Sequence, residues 1–215
     1  MGPKDWAACT QVDLMLKGLD PKKHRRKWVL FNCACCRRVW DQMSEDCRPY
    51  VEAAERYALG TGLKKDLGPL RGPVNVVVAK FPYLSDQRPW HAAVAASTVT
   101  NTTRYCAWNA ARAVDEAGRV AYRRERHAQA DLLREVIGNP FRPVAVEPAW
   151  LTWNGGAVPK MAQAVLAEAR FSDLPILADA LQEAGCEEAE LLGHLRGPGP
   201  HVRGCWALDL CLGKA

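Results

Sequence analysis

Between Pro21 and Met43 the side chains of Trp28, Val29, Phe31, Cys33, Cys35, Cys36, Val39, Trp40 and Met43 share one broad arc when successive residues turn by about 100°. Arg37, Arg38 and Asp41 fall on the opposite side. A helix with so wide an apolar arc is satisfied only by neighbours on several sides, so this segment commits the chain to a multi-helix core. Pro21 suits the first turn of that helix, where its missing N–H would have no intrahelical acceptor.

The rest of the chain follows the same period. Thr10 caps a short helix through Leu19, and Ser44 with Asp46 opens another that Gly60 ends after Leu59. The Gly- and Pro-punctuated stretch from Thr61 to Asn75 predicts a loop, and Val76 to Val78 predicts extended chain without a partner strand. From Pro89 an alanine-rich helix runs to the polar stretch Thr98 to Thr103, and a second runs from Arg104 to Gly138. Along it Ala107, Ala110, Val114, Ala117, Ala121, Ala128 and Leu132 form a narrow stripe of small residues that lets another helix approach closely.

Asn139-Pro140 stops this helix. The segment through Gly156, with Pro140, Pro143, Pro148, Trp150 and Trp153, predicts extended chain lying along the bundle, because two tryptophans do not belong in water. Short helices are predicted over 159–170, 172–184 and 186–195, and a last one from His201 to Leu212 after the Gly197-Pro198-Gly199-Pro200 turn. The expected fold is therefore all-α: a multi-helix bundle, an extended Pro/Trp-rich segment and a C-terminal cluster of short helices. Residues 1–138 form a basic N-terminal bundle, and residues 139–215 form a short-helix subdomain packed on it within one folding unit.

With 48% hydrophobic and 25% charged residues over 215 positions, the composition is that of a globular protein and excludes a disordered chain. The N-terminus shows no basic region followed by an apolar run, and no stretch is apolar for long enough to cross a bilayer. These features predict a cytoplasmic protein with no membrane partner and with its nine cysteines reduced. Residues 1–140 hold 23 Lys and Arg against 15 Asp and Glu, whereas residues 141–215 hold 6 against 9, which points any anionic partner to the first part.

Three groups of residues bear on chemistry. Cys186, His194, His201 and Cys205 make a Cys2His2 inventory suited to zinc, with His201 and Cys205 four apart on the predicted last helix. No C-x-x-C knuckle accompanies them, and ordinary packing is the competing explanation. Cys33, Cys35 and Cys36 cannot all point one way from an unbroken helix, so they predict core filling. Lys22, Lys23, Arg25, Arg26 and Lys27, continued by Arg37 and Arg38 and matched by Arg123, Arg124 and Arg126, suit phosphate contacts if they share a face. No Walker loop, Rossmann fingerprint, nucleophile elbow or His-Glu-x-x-His helix is present, so no catalytic residue is nominated.

The strings Gly138-Asn139-Pro140-Phe141-Arg142-Pro143, Pro148-Ala149-Trp150-Leu151-Thr152-Trp153 and Gly197-Pro198-Gly199-Pro200-His201-Val202-Arg203-Gly204-Cys205-Trp206 are the most distinctive in the chain. With Phe31-Asn32-Cys33-Ala34-Cys35-Cys36-Arg37-Arg38-Val39-Trp40, they resemble an uncharacterised family of planctomycete bacterial proteins. The resemblance spans most of the chain apart from residues 61–88, and it implies one continuous unit and no particular reaction. The first functional expectation is a non-catalytic interaction or scaffold protein in a larger bacterial assembly, with another protein as partner and no cofactor. The alternatives are a nucleic-acid-binding protein using the basic helices, and a zinc-binding module or zinc-dependent enzyme built on Cys186, His194, His201 and Cys205.

Overall fold

A computed structural model describes residues 2–80, 87–102, 104–114 and 119–214. It is all-α, and there is no strand among the described residues. The predicted stripe residue Ala117 lies outside the described residues. Among those that are described, no helix is long and apolar enough to cross a membrane.

The helices, in chain order, are α1 (Pro3–Ala8), α2 (Val12–Lys17), α3 (Arg25–Arg38), α4 (Arg48–Leu59), α5 (Leu67–Lys80), α6 (Arg88–Ser97), α7 (Tyr105–Ala113), α8 (Arg119–Ile137), α9 (Pro148–Glu168), α10 (Leu174–Glu183), α11 (Ala189–Arg196) and α12 (Trp206–Cys211). They divide into two compact units. The first holds Ala8–Leu133, and the second holds Gly2–Ala7 with Arg134–Ala215.

In the first unit α3 is the central element, and every residue from Trp28 to Cys36 is buried, as its wide apolar arc requires. Two things shorten it relative to the predicted 21–43 span. Residues 21–24 form a turn, and Val39 leaves helical geometry (φ −115°, ψ 25°) before a single 3₁₀ turn at Trp40–Gln42. Asn32, buried within α3, donates through Nδ2 to the carbonyls of Val99 (3.1 Å) and Asn101 (2.9 Å), which ties α3 to the chain leaving α6. Alanines 92, 93, 95 and 96 of α6 are buried, so α3 and α7 come close to it.

The segment from Thr61 to Val78 departs from expectation. It is mostly helix α5, entered through a 3₁₀ turn at Lys64–Asp66 in which the Asp66 carboxylate accepts the Leu63 N–H at 2.9 Å. Pro69 falls in the first turn, where no donor is missed. The buried Val74 and Val77, three apart, hold one face of the helix against the core, which overrides the breaker residues. The predicted single helix over Arg104 to Gly138 is two helices, α7 and α8.

In the second unit, Leu174, Leu177, Leu181, Leu191, Leu195 and Leu208 are almost wholly buried and form its core with Val158, Ala162 and Trp150. The predicted extended segment is shorter than expected, because Pro148 starts α9 at its first position. Within α9 the residues Trp153 to Gly156 leave helical geometry, and the buried Trp150 precedes that kink. Trp6 of α1 is 1% exposed and donates its indole N–H to Gly138 O at 2.8 Å. Gly138 itself has φ +73°, and a Cβ there would meet the Trp206 ring at 3.0 Å, so both conformation and space require glycine.

Candidate metal centre

Four donor-bearing residues of the second unit converge on one point. Glu135 lies in the last turn of α8, His194 in the last turn of α11, His201 in the loop that follows, and Cys205 caps α12. One ligand atom from each can be chosen so that no two are farther apart than 4.8 Å. The His194 Nε2 atom lies 3.1 Å from Glu135 Oε2 and 3.3 Å from Cys205 Sγ, and His201 Nδ1 lies 3.4 Å from Glu135 Oε1. Donors about 2.0–2.3 Å from a tetrahedral zinc ion stand about 3.3–3.7 Å from one another, so the close pairs already approach the spacing of a coordination shell.

The loop geometry that aims His201 is local. Gly199 has φ +91°, and a Cβ on it would lie 2.6 Å from the His201 N atom, so only glycine permits the turn. Val202 N–H then points at Glu135 Oε1, 3.4 Å away, and so is not engaged in a helical ladder. This corrects the predicted helix from His201: residues 201–205 are non-helical, Gly204 takes φ +98°, and α12 begins only at Trp206. His201 and Cys205 meet through a turn, in which Cys205 N–H bonds to Val202 O at 3.1 Å, and not as an i, i+4 pair.

Burial makes the charges consequential. The side chain of Glu135 is 2% exposed and that of His201 9%, while Cys205 is fully buried. Burial pushes the Glu135 carboxyl up, but hydrogen bonds from His194 and His201 outweigh it and hold the group below the usual carboxylate range. The hydrogen bond to Glu135 raises the His201 pKa against the opposing effect of burial. Burial, followed by the nearby Glu135 charge, pushes the Cys205 thiol well above its ordinary value.

His201 carries the most informative geometry. Its Nδ1 faces Glu135 Oε1 and its Nε2 faces Gly197 O at 3.0 Å, so both ring nitrogens meet acceptors. A neutral imidazole has one N–H and satisfies one of them. The ring must carry a second proton, or else donate Nε2–H to Gly197 and offer its Nδ1 lone pair to a cation shared with Glu135. A backbone carbonyl holding the far nitrogen of a histidine is the usual outer support of a metal-ligating ring. The Trp206 ring, 5.0 Å from that of His194, packs the other histidine in place.

Of the four sequence-predicted ligands the structure brings together His194, His201 and Cys205, and puts Glu135 where Cys186 was expected. Cys186 follows α10, with its N–H on Leu181 O at 2.9 Å, and is buried in the apolar core. Nothing in the sequence nominated Glu135 as a ligand, although it falls seven residues beyond Ala128, in line with the predicted stripe of small residues. A carboxylate at that position has to find a buried partner.

The basic residues of the first unit are not one free face. Arg37 pairs with Glu55 at 3.0 Å and Arg38 with Glu125 at 2.9 Å, and the buried Arg126 binds Asp13 at 2.6 Å and Gln129 at 2.8 Å. Arg26 donates to Ala58 O at 2.8 Å, and Lys27 is half-buried. Lys22, Lys23, Arg25, Arg123 and Arg124 are exposed. Cys33, Cys35 and Cys36 are core residues, as their helix positions predict. The chain matches no family model, no curated protein and no solved structure.

Proposed function

We propose that the chain is a zinc-holding helical protein with a non-catalytic role, in which Glu135, His194, His201 and Cys205 bind one zinc ion that ties the second unit together. The observation that carries this reading is the convergence of four donor atoms from separate segments to within 4.8 Å. One thiol, two imidazoles and a carboxylate form a borderline donor set that suits zinc better than magnesium or calcium. Four protein donors close a tetrahedral shell and leave no position for a substrate, which favours a structural ion over a catalytic one.

The same geometry speaks against a cysteine nucleophile. A Cys–His–carboxylate triad uses the two ring nitrogens of its histidine on different partners, whereas His194 turns the single atom Nε2 toward both Cys205 and Glu135. The rigid tie supports a protein that presents surfaces to another protein.

Elemental analysis of protein purified without added metal tests the proposal, with one zinc per chain expected. Cobalt(II) exchanged into the site should give tetrahedral d–d absorption with one thiolate charge-transfer band, which disappears in Cys205→Ser. Zinc content near zero, with no uptake of zinc or cobalt on titration, would show instead a buried carboxylate held by protonated histidines.

A further inference from the structure

The first unit contains a cleft on its own surface, lined by residues Arg25 to Asn101 of that unit. It has a volume of about 320 Å³ and opens between the start of α3, the α4 face bearing Tyr50 and Tyr57, the first turns of α5, and the chain after α6. Arg25, Lys64 and Arg71 line it, and no acidic residue does. Among the described residues, none of these three cations has a carboxylate partner, unlike Arg37, Arg38 and Arg126. Three unneutralised cations around one concavity repel one another, and an anion placed among them removes that repulsion.

Arg71 is held in position. Its Nη2 donates to Tyr50 Oη at 3.2 Å, and that hydroxyl lies 3.4 Å from Thr100 Oγ1. The guanidinium sits over the Tyr50 ring, 6.0 Å from its centroid. A guanidinium has five N–H donors, so one spent on Tyr50 leaves a fork for a two-oxygen acceptor. Val29 and Leu67 add apolar wall, and Tyr57 presents a half-exposed ring.

From this arrangement we infer that the cleft binds a small phosphate monoester carrying a planar ring, with Arg25, Lys64 and Arg71 on the phosphate and Tyr57 along the ring. Three cations suit a group of about two negative charges better than a single carboxylate. The volume lies at the lower end of the range of about 300–1,000 Å³ in which small-ligand sites fall, which suits a single ring-bearing molecule rather than a polymer.

The test is calorimetric titration of the intact chain as purified with adenosine monophosphate, inorganic phosphate and adenosine as probes. Adenosine monophosphate should bind at one site, more tightly than either fragment, and weaken as salt rises. Arg71→Gln and, separately, the exposed Lys64→Ala should each weaken it about tenfold or more with an unchanged melting temperature, whereas Lys22→Ala should not. Three outcomes would overturn the inference. These are no binding of adenosine monophosphate at millimolar concentration, equal binding of adenosine, and binding that both substitutions leave unchanged. Displacement of adenosine monophosphate by a single-stranded RNA that binds more tightly and depends on Arg124 would also overturn it, by making the cleft part of a nucleic-acid track.

Discussion

Two buried groups of cysteines stand in contrast. In the first unit Cys33, Cys35, Cys36 and Cys106 are at most 1% exposed, and Cys36 Sγ lies 3.6 Å from Cys106 Sγ. Their thiols look to backbone carbonyls: Cys33 donates to Val51 O and Cys106 to Asn32 O. Burial pushes the Cys33, Cys35 and Cys106 thiols well up, so they stay protonated, and no imidazole joins them. In the second unit one of the buried thiols, Cys205, meets two imidazoles and a carboxylate. A crowd of thiols is therefore not a metal site. A candidate site needs imidazole and carboxylate donors beside the thiol, and among the described residues only the second unit assembles such a set.

The sharpest way to break this contrast is to remove a donor from the second group. Cys205→Ser and His194→Ala should each reduce zinc from one per chain to near zero. Chelation of the unsubstituted protein should lower the melting temperature of the second unit by about 20 °C, the shift expected for a unit of this size when a ligand present at about a thousand times its Kd is withdrawn. Hydrogen exchange resolves which unit loosens, and loosening confined to the first would refute the assignment.

Removing a thiol from the first group should do much less. Cys36→Ala and Cys106→Ala each delete a buried atom about the size of a methylene and should cost about 1–2 kcal/mol in denaturant unfolding, with zinc content unchanged. Cys186→Ala belongs with them despite its place in the sequence beside the ligands, because it packs in the apolar core. Loss of zinc in that variant would reinstate Cys186 as a ligand.

The smallest effects are pH slopes of opposite sign. Burial lowers the His91 pKa in the first unit, against the hydrogen bond to Asn109, so the unfolded chain takes the proton more readily. The stability of that unit should fall as pH drops through the unfolded value of about 6.5, and His91→Gln should remove the slope. His201 has a raised pKa, so in metal-free protein its contribution is complete below about pH 6.5 and is lost as pH rises through the higher folded value. Zinc reverses this dependence, since it competes with protons for the same donors. The gap in melting temperature between zinc-loaded and stripped protein should therefore widen as pH rises.

What the sequence made legible follows from which forces are local. The burial of α3 is written in its arc positions Trp28, Val29, Phe31, Cys33, Cys35 and Cys36, and the stop at Gly60 in the left-handed cap it provides. Helix α5 was hidden because Gly68-Pro69 and Gly72-Pro73 read as turns, while the contacts that make it a helix reach Val74 and Val77 from other elements. His194, His201 and Cys205 were visible as a cluster within twelve positions. Glu135 was not, since its membership depends on where α8 ends relative to α11, which no local pattern encodes.

The separation of Glu135 from its partners also sets an order of events. His201 follows Glu135 by 66 residues. At a synthesis rate of about 5–20 residues per second, the carboxylate emerges roughly 3 to 13 s before the imidazole that completes its pairing. Leu174, Leu177, Leu181, Leu191 and Leu195 of the core stand between them in sequence and are made in that interval. If the proposed zinc ion is bound, it can be captured only after His201 and Cys205 have been made, so a shortage of zinc would be felt as slow maturation of finished chains rather than as failure to begin folding.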